Sequence, residues 1–190
     1  MTKYILVGGY VKKAPDGGRA FFEELVSGFD SNKIIKILYC VFADPLKAEV
    51  KFNEDKEKMS EFISNFTLEL AEESKFLEQV KESDVVFLKG GETDLLLGAL
   101  NKHADWVKYL DKKTVAGTSA GAMAIAKYSH ALEQDNIMEG LGLLPVKVIA
   151  HWQSDIYDID WSQALYEVKN YKEDLPVYTL AEGEFVVIEK

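Results

Sequence analysis

Cysteine occurs once in this chain, at Cys40. No disulfide can form within it, and nothing in its composition calls for an oxidising compartment. Arginine also occurs once, at Arg19, and the net charge is −10. A nucleic-acid binder neutralises phosphates with clustered cations; no such cluster is present, so no nucleic-acid partner is expected. No stretch approaches the roughly 18 apolar residues of a membrane span. The apolar start, residues 1–9, is too short for a signal peptide and reads as a buried strand. The expected location is the cytoplasm, with no membrane contact. The three histidines are dispersed without metal-ligand spacing, so neither a metal nor another cofactor is expected. Repeats, low-complexity tracts and proline-rich linkers are missing too.

What is present suits one compact unit spanning residues 1–190. Apolar residues make up 47% of the chain, enough to fill a core at this length. Strand and helix patterns alternate. Apolar strands are expected at 3–7, 34–42, 67–70, 84–88, 114–116 and 146–150. Helices are expected at 19–29, 53–66, 74–81 and 93–101, then from the turn at 117–121 to about 127. Trp161, Ala164, Leu165 and Val168 fall at i, i+3, i+4 and i+7, a helical stripe. Residues 177–180 and 184–188 read as a closing hairpin around Glu182-Gly183. Alternation of this kind implies an α/β fold: three layers, a mostly parallel sheet with helices on both faces, and a C-terminal β-hairpin. The acidic stretch at 155–160 reads as a solvated loop or helix start.

In such sheets functional groups gather beyond the carboxyl ends of the strands. Gly90-Gly91, Ser119 and His151 are all expected there. Gly117-Thr118-Ser119-Ala120-Gly121 has the G-x-S-x-G form of a nucleophile elbow, where a serine sits on a sharp strand-to-helix turn that flanking glycines make room for. With ten serines and glycine at roughly 7% of residues, a chance match has odds of about 5%. The position between a strand and a helix therefore adds real weight. The N–H of Ala120, at the helix start, suits a developing oxyanion. A serine needs a base. His103 lies at the polar end of a helix and His130 in a polar connection, whereas His151 closes an apolar strand, which favours it. For the carboxylate that orients the histidine, Glu133, Asp135, Asp155 and Glu182 all qualify on pattern. Gly90-Gly91 is placed to give a second oxyanion donor, while Glu92 or Thr93 caps the next helix.

Together these segments resemble the peptidase E (aspartyl dipeptidase) and cyanophycinase family, whose fold is similar to class I glutamine amidotransferases. The likeness runs through Gly8-Gly9, residues 87–93, residues 117–122, residues 141–144 before His151-Trp152, and Ala181-Glu182-Gly183. It implies a serine-type dipeptidase or short-peptide hydrolase with Ser119 as nucleophile, His151 as base and Glu182 as orienting acid. It further implies an oxyanion hole from Gly91 and Ala120, and substrate contacts from Gly90, Glu92, Thr93 and Trp152. The chain departs from the family at three points. Gly-Gly-Asn-Thr becomes Gly-Gly-Glu-Thr, the residue after the histidine is Trp152 rather than Tyr or Phe, and no arginine follows Arg19. Arginine is the side chain best shaped to grip a carboxylate, so its absence speaks against aspartyl preference. Serine rather than cysteine in the elbow speaks against glutamine amide transfer. Two alternatives stay open: a small-molecule esterase or amidase on the same machinery, and a non-catalytic binding protein that keeps the shape. The partner expected is a small peptide or other small substrate, and base rates leave room for a homodimer.

Overall fold

The protein is described by a computed structural model covering residues 1–132 and 135–190. The elements run β1 (Lys3–Val7), α1 (Arg19–Val26), β2 (Ile35–Cys40), α2 (Ala48–Ser60), β3 (Phe66–Leu70), α3 (Phe76–Glu82), β4 (Val85–Leu88) and α4 (Thr93–Lys102). They continue with β5 (Thr114–Thr118), α5 (Ala120–Ile125), β6 (Tyr128–Ala131), β7 (Asn136–Glu139), β8 (Lys147–Ile149), α6 (Trp161–Asn170), β9 (Val177–Thr179) and β10 (Phe185–Glu189). The main sheet has the order β10-β1-β5-β4-β2-β3 and is parallel except at β10. A smaller sheet, β7-β6-β8-β9, stands beside it.

The main sheet is apolar on both faces because helices cover both, as parallel sheets require. Successive residues alternate between two cores. Leu6, Leu38, Cys40, Val86, Leu88 and Val115 face α3, α4, α5 and Trp106. Ile5, Val7, Ile37, Tyr39, Phe87 and Ala116 face Phe21, Phe22 and Leu25 of α1 and Met59 of α2. The expected α/β architecture with helices on both faces is what forms.

Several details differ from the sequence reading. Helix α2 starts and ends earlier than expected. Phe66 continues the apolar spacing of Phe62 but belongs to β3, opposite Ile35, after a left-handed turn at Asn65. The antiparallel pairing at the C-terminus is made by β10 with β1, while β9 joins β8 in the smaller sheet. The turn at Glu182-Gly183 therefore passes from one sheet to the other. Ser129 and His130 do not lie in a polar connection but in β6, fully buried. Burial pushes the His130 imidazole below its usual range, against the pull of Asp135 and Glu167. Neither Glu92 nor Thr93 caps α4 with its side chain: Glu92 stands at the cap position and makes no such bond. Helix α6 is capped as a sequence reader would wish, with Asp160 accepting from the amides of Ser162 and Gln163. Among the described residues no helix is long and apolar enough to cross a membrane.

Candidate active site

Strand β5 ends at Thr118 and the chain turns at once into α5. Ser119 takes up the turn with φ 50° and ψ −112°, a strained backbone for any residue with a side chain. The two flanking glycines make it feasible. A Cβ on Gly117 would lie 2.3 Å from the Gly121 carbonyl carbon, and one on Gly121 would lie 2.1 Å from the Leu88 carbonyl oxygen. The elbow is thus wedged between β5 and β4, where only glycine fits.

His151 comes from the end of β8, in the smaller sheet rather than the main one. It is 4% exposed. Its Nε2 lies 2.8 Å from Ser119 Oγ, and its Nδ1 lies 2.9 Å from Glu182 Oε1. Ser154 also donates to Glu182 Oε1, at 2.8 Å. The second carboxylate oxygen, Oε2, is buried and has no partner among the described residues. The charge of Glu182 is therefore directed at the imidazole and the Ser154 hydroxyl. Tyr10 and Tyr157 flank the ring, their centroids 5.5 and 5.2 Å away. Gly9 presses against the same ring.

One strand end holds all of this in place. The amide of Ser119 donates to the Val7 carbonyl at 3.0 Å, that of His151 to Gly8 at 2.9 Å, and that of Gly183 to Gly9 at 2.8 Å. Three consecutive carbonyls at the tip of β1 thus anchor the serine, the histidine and the neighbour of the glutamate.

The segment after β4 completes the site. The N–H of Gly90 donates to Thr118 Oγ1 at 3.1 Å, and its carbonyl accepts from Lys51 Nζ at 2.9 Å. The N–H groups of Gly91 and Ala120 donate to no acceptor among the described residues. Backbone donors left open beside a serine are what an oxyanion site requires. A cleft of about 90 Å³ opens over Ser119 and His151. Gly91, Glu92, Thr93 and Asp94 line it, together with the apolar Met123, Leu132 and Met138 and with Tyr157.

Of the residues expected at the site, Ser119, His151, Glu182, Gly91, Ala120, Glu92 and Thr93 come together. Gly90 lies behind the nucleophile, with its polar groups already engaged. Trp152 is not part of the cleft lining and packs on Trp161 instead, centroids 5.6 Å apart. Among the carboxylates, Asp135 lies 3.4 Å from His130 and Asp155 is exposed; Glu133 lies outside the described residues. Burial pushes the Cys40 thiol up to about 12, so it is no rival nucleophile. Gly9 was marked only as part of the family likeness, and Ser154, Tyr157 and Asp94 carried no signal in the sequence.

The geometry can be set beside known proteins. No protein of curated function matches the chain. A crystal structure from Listeria monocytogenes EGD-e, described as a candidate peptidase E, superposes with a TM-score of 0.71 at 16% identity, over 99% of this chain and 94% of that one. At that identity the likeness speaks for the fold. The sequence profile of peptidase family S51 matches residues 20–190. The chain belongs to peptidase family S51 and is a serine peptidase of that family.

Proposed function

We propose that the protein hydrolyses dipeptides or short peptides by acyl transfer through Ser119, His151 and Glu182. The observation that carries this reading is the unbroken line of hydrogen bonds from Ser119 Oγ through both ring nitrogens of His151 to Glu182, at 2.8 and 2.9 Å. In the proposed cycle Ser119 Oγ attacks the scissile carbonyl and His151 Nε2 takes its proton. Glu182 fixes the imidazole and stabilises it once it is charged. The N–H groups of Gly91 and Ala120 receive the oxyanion. His151 then gives the proton to the leaving amine, and a water repeats the sequence on the acyl-enzyme. The cleft, about 90 Å³, is small beside the 300–1,000 Å³ of common ligand pockets, which supports a short substrate.

The test is a dipeptide panel combined with a fluorophosphonate probe. Wild type should be labelled and should cleave peptides. Ser119→Ala should lose labelling and fall by at least about 10⁴-fold in kcat. A folded wild-type protein that neither labels nor cleaves would sink the reading. Labelling with ester hydrolysis but no peptide cleavage would narrow it to a small-molecule acyl hydrolase.

A further inference from the structure

The cleft over Ser119 has a distinct chemical character. Its polar wall carries two carboxylates, Glu92 and Asp94, and no lysine or arginine lines it among the described residues. Lysines and arginine outside the lining make other contacts. Lys89, which follows β4, pairs with Asp55 at 2.6 Å. Lys51 pairs with Asp44 at 2.8 Å and holds the Gly90 carbonyl. Lys13 lies over the Tyr10 ring, and Arg19 lies over Phe62 beside Glu23. Met123, Leu132 and Met138 add apolar surface to the same cleft. A chamber lined by both apolar and anionic groups suits a side chain with a methylene stem and a cationic head.

Resting on the serine peptidase reading, we propose that this cleft selects a substrate whose acyl-side residue is basic, of the lysine or arginine class. The stem lies along Met123, Leu132 and Met138, and the ammonium or guanidinium meets Glu92 and Asp94. An acidic residue in the same place meets like charge and finds no lysine or arginine among the described residues of the lining. The preference is thus set by the field of the wall, whatever other contacts Glu92 and Asp94 make.

Lys-Leu, norleucyl-Leu and Asp-Leu form the deciding series. All three keep the α-ammonium, and the first two share the stem and differ mainly in the head. Lys-Leu should exceed norleucyl-Leu in kcat/KM severalfold, up to about 25-fold, since each partly exposed pair contributes up to about fivefold. Asp-Leu should be the poorest. The Lys-to-norleucine ratio should shrink in 0.5 M salt, because exposed charge pairs are screened. In the double variant Glu92→Gln with Asp94→Asn the ratio should fall toward one, and Glu92→Lys should shift preference toward Asp-Leu. Labelling of Ser119 by a fluorophosphonate is read in the same samples. A labelled, active enzyme with equal rates on Lys-Leu and norleucyl-Leu overturns this proposal and leaves the peptidase reading standing. So does a preference for Asp-Leu, or a ratio that survives the double variant. Absence of both labelling and cleavage overturns the peptidase reading, and this proposal with it.

Discussion

A single methyl group at position 9 reaches the heart of the site. A Cβ built on Gly9 lies 2.2 Å from His151 Cε1, 2.5 Å from Nδ1 and 2.8 Å from Glu182 Oε2. None of these atoms can yield without loosening the line from serine to glutamate. A displacement near 1 Å in a reacting geometry can cost about 100-fold in rate. Gly9→Ala should therefore lower kcat by at least about 100-fold, measured per folded molecule, and should also lower Tm, because a φ of 153° strains any residue with a side chain. Wild-type kcat in this variant would mean that the imidazole has room the structure does not show. Ser119 and His151 were legible in the sequence because each sits in a local pattern: glycines spaced around a serine, and a histidine closing an apolar run. Glu182 had no such pattern and needed the family likeness. Ser154 was illegible and Gly9 was marked only through the likeness, without its role, since the importance of both lies in contacts with residues more than 20 positions away.

At the level of elements, the cleft rests on a tie between α2 and the end of β4. Asp55 of α2 is 5% exposed. It pairs with Lys89 at 2.6 Å and Lys12 at 3.3 Å, and accepts from the Tyr39 hydroxyl at 2.7 Å. Burial works to raise its pKa, but Lys89, Tyr39 and Lys12 together hold it below the usual carboxylate range. A depressed carboxyl stabilises the fold above its unfolded pKa of about 3.9, and that contribution is lost as pH falls through the folded value. Asp55→Asn leaves the lysines without their carboxylate, at a cost of about 3 kcal/mol and about 10 °C in Tm. The gap from wild type should close as pH drops below about 4; a gap that stays constant to pH 3 would assign the loss to packing. The elements most plainly readable from sequence were β1, β2, β4 and α6, each a simple apolar run or stripe. Helix α2 was misplaced because Phe62 and Phe66 mimic one helical face, whereas Phe62 lies in the turn after α2 and Phe66 in β3. Strand β6 escaped notice because Ser129 and His130 look polar, and only the neighbouring β7 and β8 explain their burial.

Across the whole molecule, two sheets of different make-up meet at the tip of β1. The main sheet supplies the serine, the smaller sheet supplies the histidine, and the passage between them supplies the glutamate. Three successive carbonyls, at Val7, Gly8 and Gly9, accept the amides that hold the three segments. Opening any one of those bonds exposes the end of the same strand, so the three share one local unfolding event. Native-state hydrogen exchange should show the amides of Ser119, His151 and Gly183 exchanging with a common free energy, and destabilising β1 should lower all three together. Three separate free energies would mean that each segment carries its own support. With a common free energy, the reactive groups cannot be lost one at a time: the protein either holds a complete site or holds none, and a nick near the amino terminus acts as an off-switch for chemistry located more than 100 residues away.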